Sequence, residues 1–324
     1  MQKTLSVINL NAVRGNVLAA KSRAKGAKFY AVVKADAYGH GAEQVARYIE
    51  DISDGFCVAI IEEGIALRIA GITKPVLVFT PPLDEYDVAR AKAYNLTVTV
   101  NSVHTAKLIK GLDCHIKVNT GMNRHGCNLN ELPEVLKNLP PESIKGVYSH
   151  LFAPHDNTAS GKQRSLFLSA EKLVKNVNES AVAHLSASGG ILRGGQYLFD
   201  GVRCGILLYG YAPDGFKREG FEPALKVYAR RTQVTRFIGG GIGYNFADKN
   251  YSSLSSYRCG YADGFFRGVP LGEKTLCMDA FVSNAGGEML CVMDNADKYA
   301  MKCGTISYEI LTKATLRSER IYER

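Results

Sequence analysis

The sequence predicts an α/β chain: a parallel (β/α)8 TIM-type barrel followed by a smaller all-β C-terminal domain. Three observations carry the prediction. Over the first two-thirds, eight short β-branched runs alternate with helical stretches, the pattern of parallel strands joined by crossover helices. After about Pro213 the texture changes to short strand-like segments broken by Gly239-Gly240-Gly241, Gly268, Gly272 and Gly286-Gly287. The chain has 324 residues, enough for two domains at ~150 residues each. An open doubly wound sheet is the alternative for the first domain.

The expected barrel strands are Phe29–Val33, Phe56–Ile60, Val76–Phe79, Leu96–Val100, His115–Val118, Gly146–His150, Val182–Ser186 and Phe199–Val202. The clearest helix is Gly161–Asn176, where Leu166, Ala170, Leu173 and Val174 fall on one face. A helix over Asn11–Lys25 precedes the first barrel strand, and Ser6–Leu10 before it reads as an extra strand. The barrel is assigned residues 1–214, with residues 1–10 free to pair with the second domain. A linker near Asp214–Glu222 leads into residues 215–324. There the strand-like segments are Ala224–Phe237, Tyr257–Gly260, Leu276–Val282 and Glu288–Met293, and no long helical period is evident.

Composition excludes several classes. Hydrophobic residues make up 46% and charged residues 22%, ordinary for a packed soluble protein and unlike a disordered, collagenous or coiled-coil chain. No apolar run approaches the ~18 residues of a membrane span, and the N-terminus has no signal-peptide core, so a cytoplasmic location is expected. Lys and Arg number 40 against 31 Asp and Glu, a net +9. These cations are scattered, which suits small anionic ligands better than nucleic acid. The eight cysteines form no Cys-x-x-Cys pair and read as reduced thiols. His150 and His155 are five apart with Pro154 between them, which is not metal-ligand spacing, so no metal is expected.

In such a barrel, function gathers at the C-terminal ends of the strands. At the end of the first stands Lys34, after Ala31-Val32-Val33. It either reaches solvent or pairs with Asp36, or it is a desolvated amine suited to a Schiff base with a carbonyl. The longer string is more specific. Val32-Val33-Lys34-Ala35-Asp36-Ala37-Tyr38-Gly39-His40-Gly41 resembles the pyridoxal 5'-phosphate lysine motif of the alanine racemases, fold type III enzymes. The resemblance recurs in order: His115-Ile116-Lys117-Val118-Asn119-Thr120-Gly121-Met122-Asn123-Arg124, then His150 at a strand end, His184-Leu185-Ser186-Ala187-Ser188, and Arg203-Cys204-Gly205-Ile206. In the second domain Gly243-Tyr244-Asn245, Gly260-Tyr261-Ala262-Asp263-Gly264, Cys277-Met278-Asp279 and Gly304-Thr305-Ile306-Ser307-Tyr308 complete the series.

The resemblance implies a racemase interconverting L- and D-alanine, with pyridoxal 5'-phosphate held by Lys34. It also implies two bases on opposite faces, Lys34 and a Tyr244 delivered by the partner in a head-to-tail homodimer. A phenol ordinarily titrates near ~10, so Tyr244 must be tuned or act through a transient tyrosinate. Tyr38, Ser188, the amides of Gly205 and Ile206, and Tyr308 would hold the phosphate. Arg203 would face the pyridine nitrogen, and His150 would belong to the tuning network. Arg124 and the Met278 amide would bind substrate carboxylate, and Lys117 matches a lysine that is commonly carbamylated. Tyr261 and Arg267 would line the entryway. The product would be D-alanine for peptidoglycan.

Departures from the family pattern are Asn119 for Asp, Ala187 for Asn, Cys204 for Pro, and a shortened stretch from Tyr261 to Met278. They bear on the entryway, the dimer contacts and the rate. A racemase of another small amino acid, such as serine, is the alternative; Tyr308 favours alanine and retained Lys117 speaks against broad specificity. A fold type III decarboxylase would place an acid where this chain has Arg203. A carrier protein would lack the second domain.

Overall fold

The computed structural model describes residues 4–324. The chain divides into two compact units: a barrel unit of Arg14–Ala37 and Ala42–Phe221, and a β unit of residues 4–13, Tyr38–Gly41 and Glu222–Arg324.

The first strand, β1 (Leu5–Asn9), belongs to the β unit. The barrel strands follow: β2 (Lys28–Val32), β3 (Gly55–Val58), β4 (Val76–Val78), β5 (Val98–Val100), β6 (Cys114–Lys117), β7 (Ile144–Tyr148), β8 (Val182–His184) and β9 (Gly201–Cys204). Two four-stranded parallel sheets run β4-β3-β2-β9 and β5-β6-β7-β8. They join at both seams. Thr97 N donates to Val76 O and Val78 N to Thr97 O, each at 2.9 Å, between β4 and β5; Asp200 N donates to Ala183 O (3.0 Å) and Arg203 N to Ser186 O (2.9 Å) between β8 and β9. The result is a closed eight-stranded parallel barrel. Strands covered on both sides must be apolar nearly throughout, which is why these runs stood out in the sequence.

Large rings fill the lower barrel because glycines leave room for them. A Cβ on Gly55 would stand 3.0 Å from the Tyr30 ring, one on Gly201 3.3 Å from it, and one on Gly146 2.7 Å from His115 Nδ1. Strand β9 begins later than expected, at Gly201 rather than Phe199, because Phe199 has φ +53° and closes a turn. The helix expected over Gly161–Asn176 spans Asn157–Lys175, started by Asp156, whose carboxylate accepts from Ala159 N. Its buried face is rotated from the expected stripe: Leu166 is 44% exposed, and Gln163 and Phe167 are buried with Ala170 and Val174. Gln163 turns inward because its amide bonds His150 O, Thr120 Oγ1 and Phe152 N. The barrel unit extends beyond residue 214 to Phe221. Arg23 holds that stretch, donating to Glu219 O at 2.9 Å and lying 4.7 Å from the centre of the Phe221 ring.

The β unit is built on β10 (Leu225–Arg236), twelve residues long. A short hairpin, β11 (Gly241–Ile242) with β12 (Asn245–Phe246), follows it, then β13 (Ser253–Arg258), β14 (Phe281–Ser283), β15 (Met289–Met293) and β16 (Glu319–Glu323). The sheet runs β14-β13-β10-β1-β16, with β15 also on β10. Of the N-terminal residues expected to pair with this unit, 5–8 face β10 and 5–9 face β16; residues 1–3 lie outside the described residues. The expectation of strands alone overlooked two helices, Ala296–Cys303 and Ser307–Lys313. They are short, and the first is started by Asn295, whose side chain accepts from Asp297 N and Lys298 N. Tyr257 and Phe281 stack in the core with ring centres 5.3 Å apart. No helix among the described residues is long and apolar enough to cross a membrane.

Candidate active site

Lys34 follows β2 directly and opens an unusual turn. Ala35, Asp36, Ala37 and Tyr38 all have left-handed backbone, with φ of 51, 53, 53 and 53°. Such a conformation costs about 1–2 kcal/mol per L-residue, so the surroundings must impose it. They do. Glu63 accepts from Ala35 N and Ala59 N, each at 2.7 Å; Ala37 N donates to Val33 O; and Asp36 accepts from Ala42 N at 2.7 Å. Asp36 is thus occupied in holding the turn. The Lys34 amine is held below its usual value by burial, and next by repulsion from Arg124, against the pull of Glu63.

Arg203, on β9, is 2% exposed. Its Nη1 donates to His184 Nδ1 (2.7 Å) and His184 O (2.5 Å), and its Nη2 to Ser149 O (2.5 Å) and Leu185 O (3.2 Å). All four Nη protons are therefore used. Among the described residues only its Nε–H lacks a protein acceptor. The Tyr148 ring lies 5.1 Å from the guanidinium carbon and stacks on His184 at 5.1 Å.

Lys117, at the end of β6, is 7% exposed, with its Nζ 4.5 Å from the centre of the Tyr148 ring. Burial, followed by Arg203, Arg124 and Lys34, lowers its amine to about 7. Arg124 is exposed on a loop closed by Asn119 N to Cys127 O (2.8 Å) and Cys127 N to Lys117 O (3.0 Å). The Asn119 side chain organises that loop from within. Its Oδ1 accepts from Gly121 N and Asn123 N, and its Nδ2 donates to Asn123 Oδ1 and Asn128 Oδ1. An aspartate could accept but not donate, so this departure from the family pattern has a local structural use. His150 is pushed well below its usual range by burial, then by the cations Arg203, Lys117, Arg124 and Lys34.

Ser188 is buried at the start of the helix Ser188–Arg193, and its Oγ accepts from Gly205 N (3.1 Å) and Leu207 N (3.5 Å). Gly205 and Ile206 lead into the 3-10 turn Ile206–Tyr209. Ser188, Gly205 and Ile206 are thereby brought together. In the β unit, the rings of Tyr38 and Tyr308 lie 5.9 Å apart. Tyr244 occupies the turn between β11 and β12 and is 81% exposed. That turn lies against Cys277, since a Cβ on Gly243 would stand 3.2 Å from Cys277 Sγ. Tyr261 N in turn donates to Cys277 O and Ala262 N to Met278 O. Tyr244, Tyr261 and Met278 therefore share one neighbourhood, and Arg267 is exposed.

Sequence reasoning missed Glu63, Tyr148, Gln163 and His115 as supports of these residues. Glu63 and Gln163 carry no motif; His115 sat inside a quoted string but was passed over for Lys117.

A closed parallel barrel with two amines, Lys34 and Lys117, and the Arg203 guanidinium at its strand ends, followed in the chain by a mostly β unit, defines a barrel enzyme. The family model for "Alanine racemase, N-terminal domain" matches residues 8–213. An alanine racemase of Carboxydothermus hydrogenoformans is 33% identical, with 99% of this chain and 100% of that protein covered. One from Streptococcus agalactiae is 31% identical, with 98% of each covered. The solved alanine racemase of Clostridium difficile superposes with a TM-score of 0.90 at 26% identity, covering 100% of this chain and 96% of that one. The chain belongs to the alanine racemase family and is an isomerase of the racemase type.

Proposed function

We propose that the protein interconverts L- and D-alanine with pyridoxal 5'-phosphate, as a head-to-tail homodimer in a bacterial cytoplasm, supplying D-alanine for peptidoglycan. The observation that carries this reading is the half-buried, depressed amine of Lys34 at the end of the first barrel strand, in a family member whose Arg203 keeps one guanidinium proton unused.

The residues present fit the cofactor. Lys34 is its covalent anchor. Ser188 and the amides of Gly205 and Ile206 are a phosphate-type donor set, and the family resemblance assigns Tyr38 and Tyr308 to the same phosphate. The Nε–H of Arg203 is a donor with no protein acceptor, suited to an unprotonated ring nitrogen. When bound, pyridoxal phosphate supplies the electron sink that makes the amino acid's α-proton removable. The Lys34 amine, its proton affinity lowered by burial and by Arg124, takes or returns that proton on one face. The Tyr244 hydroxyl of a second copy acts on the other face. Arg203 cannot give up its proton at any working pH, which weakens the sink and suppresses side reactions. Arg124 offers a fork of N–H donors to the substrate carboxylate, joined by the Met278 amide of the second copy, and His150 remains neutral within the tuning network. Tyr261 and Arg267 line the entryway.

Lys117 is carbamylated in this reading. Burial and the surrounding cations lower its amine to about 7, which favours the neutral form that adds CO2, and the resulting anion would relieve the crowding of cations around it. An intact-mass gain of one CO2, lost in CO2-free buffer, is the expected result.

The test of the function is a visible absorption spectrum of the purified protein, then chiral analysis after adding L-alanine. A cofactor band abolished in Lys34→Ala, together with D-alanine formation, is expected. A band with D-serine but no D-alanine would transfer the assignment to a serine racemase, and CO2 release to a decarboxylase. No band after adding pyridoxal phosphate would end the proposal.

A further inference from the structure

Behind Arg203 the barrel interior holds a second histidine. His115 Nδ1 stands 2.7 Å from His184 Nε2, and His184 Nδ1 stands 2.7 Å from Arg203 Nη1. The three residues come from β6, β8 and β9 and are 5%, 0% and 2% exposed. A guanidinium only donates. His184 Nδ1 therefore accepts and carries no proton. A neutral His184 then has its proton on Nε2 and donates it to His115 Nδ1, which leaves the His115 proton on Nε2. Both rings are neutral, since burial and then the Arg203 charge hold them below the usual histidine range, His115 to about 3.

The placement of His115 is built in. Gly146 on β7 leaves the space its ring occupies: a Cβ there would meet His115 Nδ1 at 2.7 Å and Val182 O at 2.7 Å. Tyr30 stands edge-on to His115, with ring centres 6.2 Å apart, and also flanks His184 at 5.5 Å. Tyr148 stacks on His184. His184 thus has ring neighbours in Tyr30 and Tyr148, and its two nitrogens connect Arg203 to His115.

We infer that His115 is a positioning residue for Arg203: by accepting the His184 Nε2 proton, it fixes the one tautomer of His184 whose Nδ1 can receive the guanidinium. Without that acceptor, His184 either buries an unpaired N–H or moves its proton to Nδ1, where it opposes the Arg203 N–H. Either outcome loosens the guanidinium and displaces its Nε. The inference rests on the proposed role of Arg203 only for its catalytic consequence; the order of the bonds stands on geometry alone.

The experiment is nitrogen NMR of the purified protein with 15N-labelled histidines, assigned by single substitutions, alongside kinetics of His115→Phe and His115→Asn. In the native protein His184 and His115 should both be protonated at Nε2 and should not titrate through neutral pH. His115→Phe keeps the ring volume without the acceptor. It should change the His184 nitrogen signals and lower kcat about 10- to 100-fold, with KM less affected. His115→Asn places a carbonyl oxygen near the Nδ1 position and should restore the His184 tautomer and much of the rate. A native His184 protonated at Nδ1 overturns the inference, as does a Phe variant with unchanged His184 signals and kcat within about twofold of the parent. If the protein takes no pyridoxal phosphate, the functional proposal falls, while the nitrogen spectra still decide the chain of bonds.

Discussion

In the barrel unit, Arg203, Ser188 and Lys117 are 2%, 4% and 7% exposed, and Arg203 and Ser188 have their bonding partners inside the same unit. In the β unit, Tyr244 and Met278 are 81% and 54% exposed, and the Tyr244 hydroxyl has no partner among the described residues. Ile238 and Phe246 near that turn are 95% and 91% exposed. The contrast separates two sources of precision. Arg203 is held by buried acceptors whose loss leaves unpaired charge and Ser188 by backbone donors whose loss leaves unpaired N–H groups, so their positions and the stability of the barrel depend on each other. The exposed tyrosine contributes little to the stability of its own unit, and its precision must come from whatever covers it. In the proposed homodimer, a second copy of the chain supplies that cover.

Substitutions can break this contrast or sharpen it. The largest effect is expected from Tyr244→Phe, which removes one hydroxyl. Racemisation should fall by about 10²–10⁴-fold, while the denaturation midpoint should stay within about 0.5 kcal/mol of the parent because the side chain is exposed. A large stability loss would show that Tyr244 packs within its own protomer. Phe246→Glu extends this test: sedimentation should shift toward monomer, with activity lost at the same protein concentration at which the dimer is lost.

Gly146→Ala reverses the signature. The added methyl meets the His115 ring and Val182 O, and the backbone oxygen cannot step aside. Urea unfolding should register a loss of about 1–3 kcal/mol, with a lowered rate through His115. An unchanged midpoint would mean that the lower barrel repacks freely.

Over a single pH unit, the smallest effect is a pH dependence. The folded Lys117 amine titrates at about 7 against an ordinary 10.5. Between those values the unfolded chain binds the additional proton, so stability rises with pH, by up to about 1.4 kcal/mol per unit. Unfolding in CO2-free buffer at two pH values in that window should show this rise in the parent and a flatter response in Lys117→Met. An equal response would place the Lys117 amine in water.

The barrel was legible because a parallel strand buried on both sides can be little other than an apolar run, as in Phe56-Cys57-Val58. Lys34, Arg203 and Ser188 were legible because they sit in contiguous strings. The helices Ala296–Cys303 and Ser307–Lys313 were not, being too short to display a period among glycines. The turn after Lys34 gave no warning either, because three of its four left-handed residues are alanine or aspartate, with the restraint supplied by Glu63, 28 positions from Ala35.

By itself the sequence determined which residue types the protein has for its chemistry, the order in which they occur, and the alternation that makes a barrel. These are local properties, written in side-chain period and neighbouring motif. Only the tertiary structure decided which of those groups are charged, paired or free to donate. His115 and His184 are 69 positions apart in the chain, and His184 and Arg203 are 19. They meet because the barrel closes, and their protonation states follow from that meeting: a buried guanidinium that can only donate dictates the tautomer of the ring beside it.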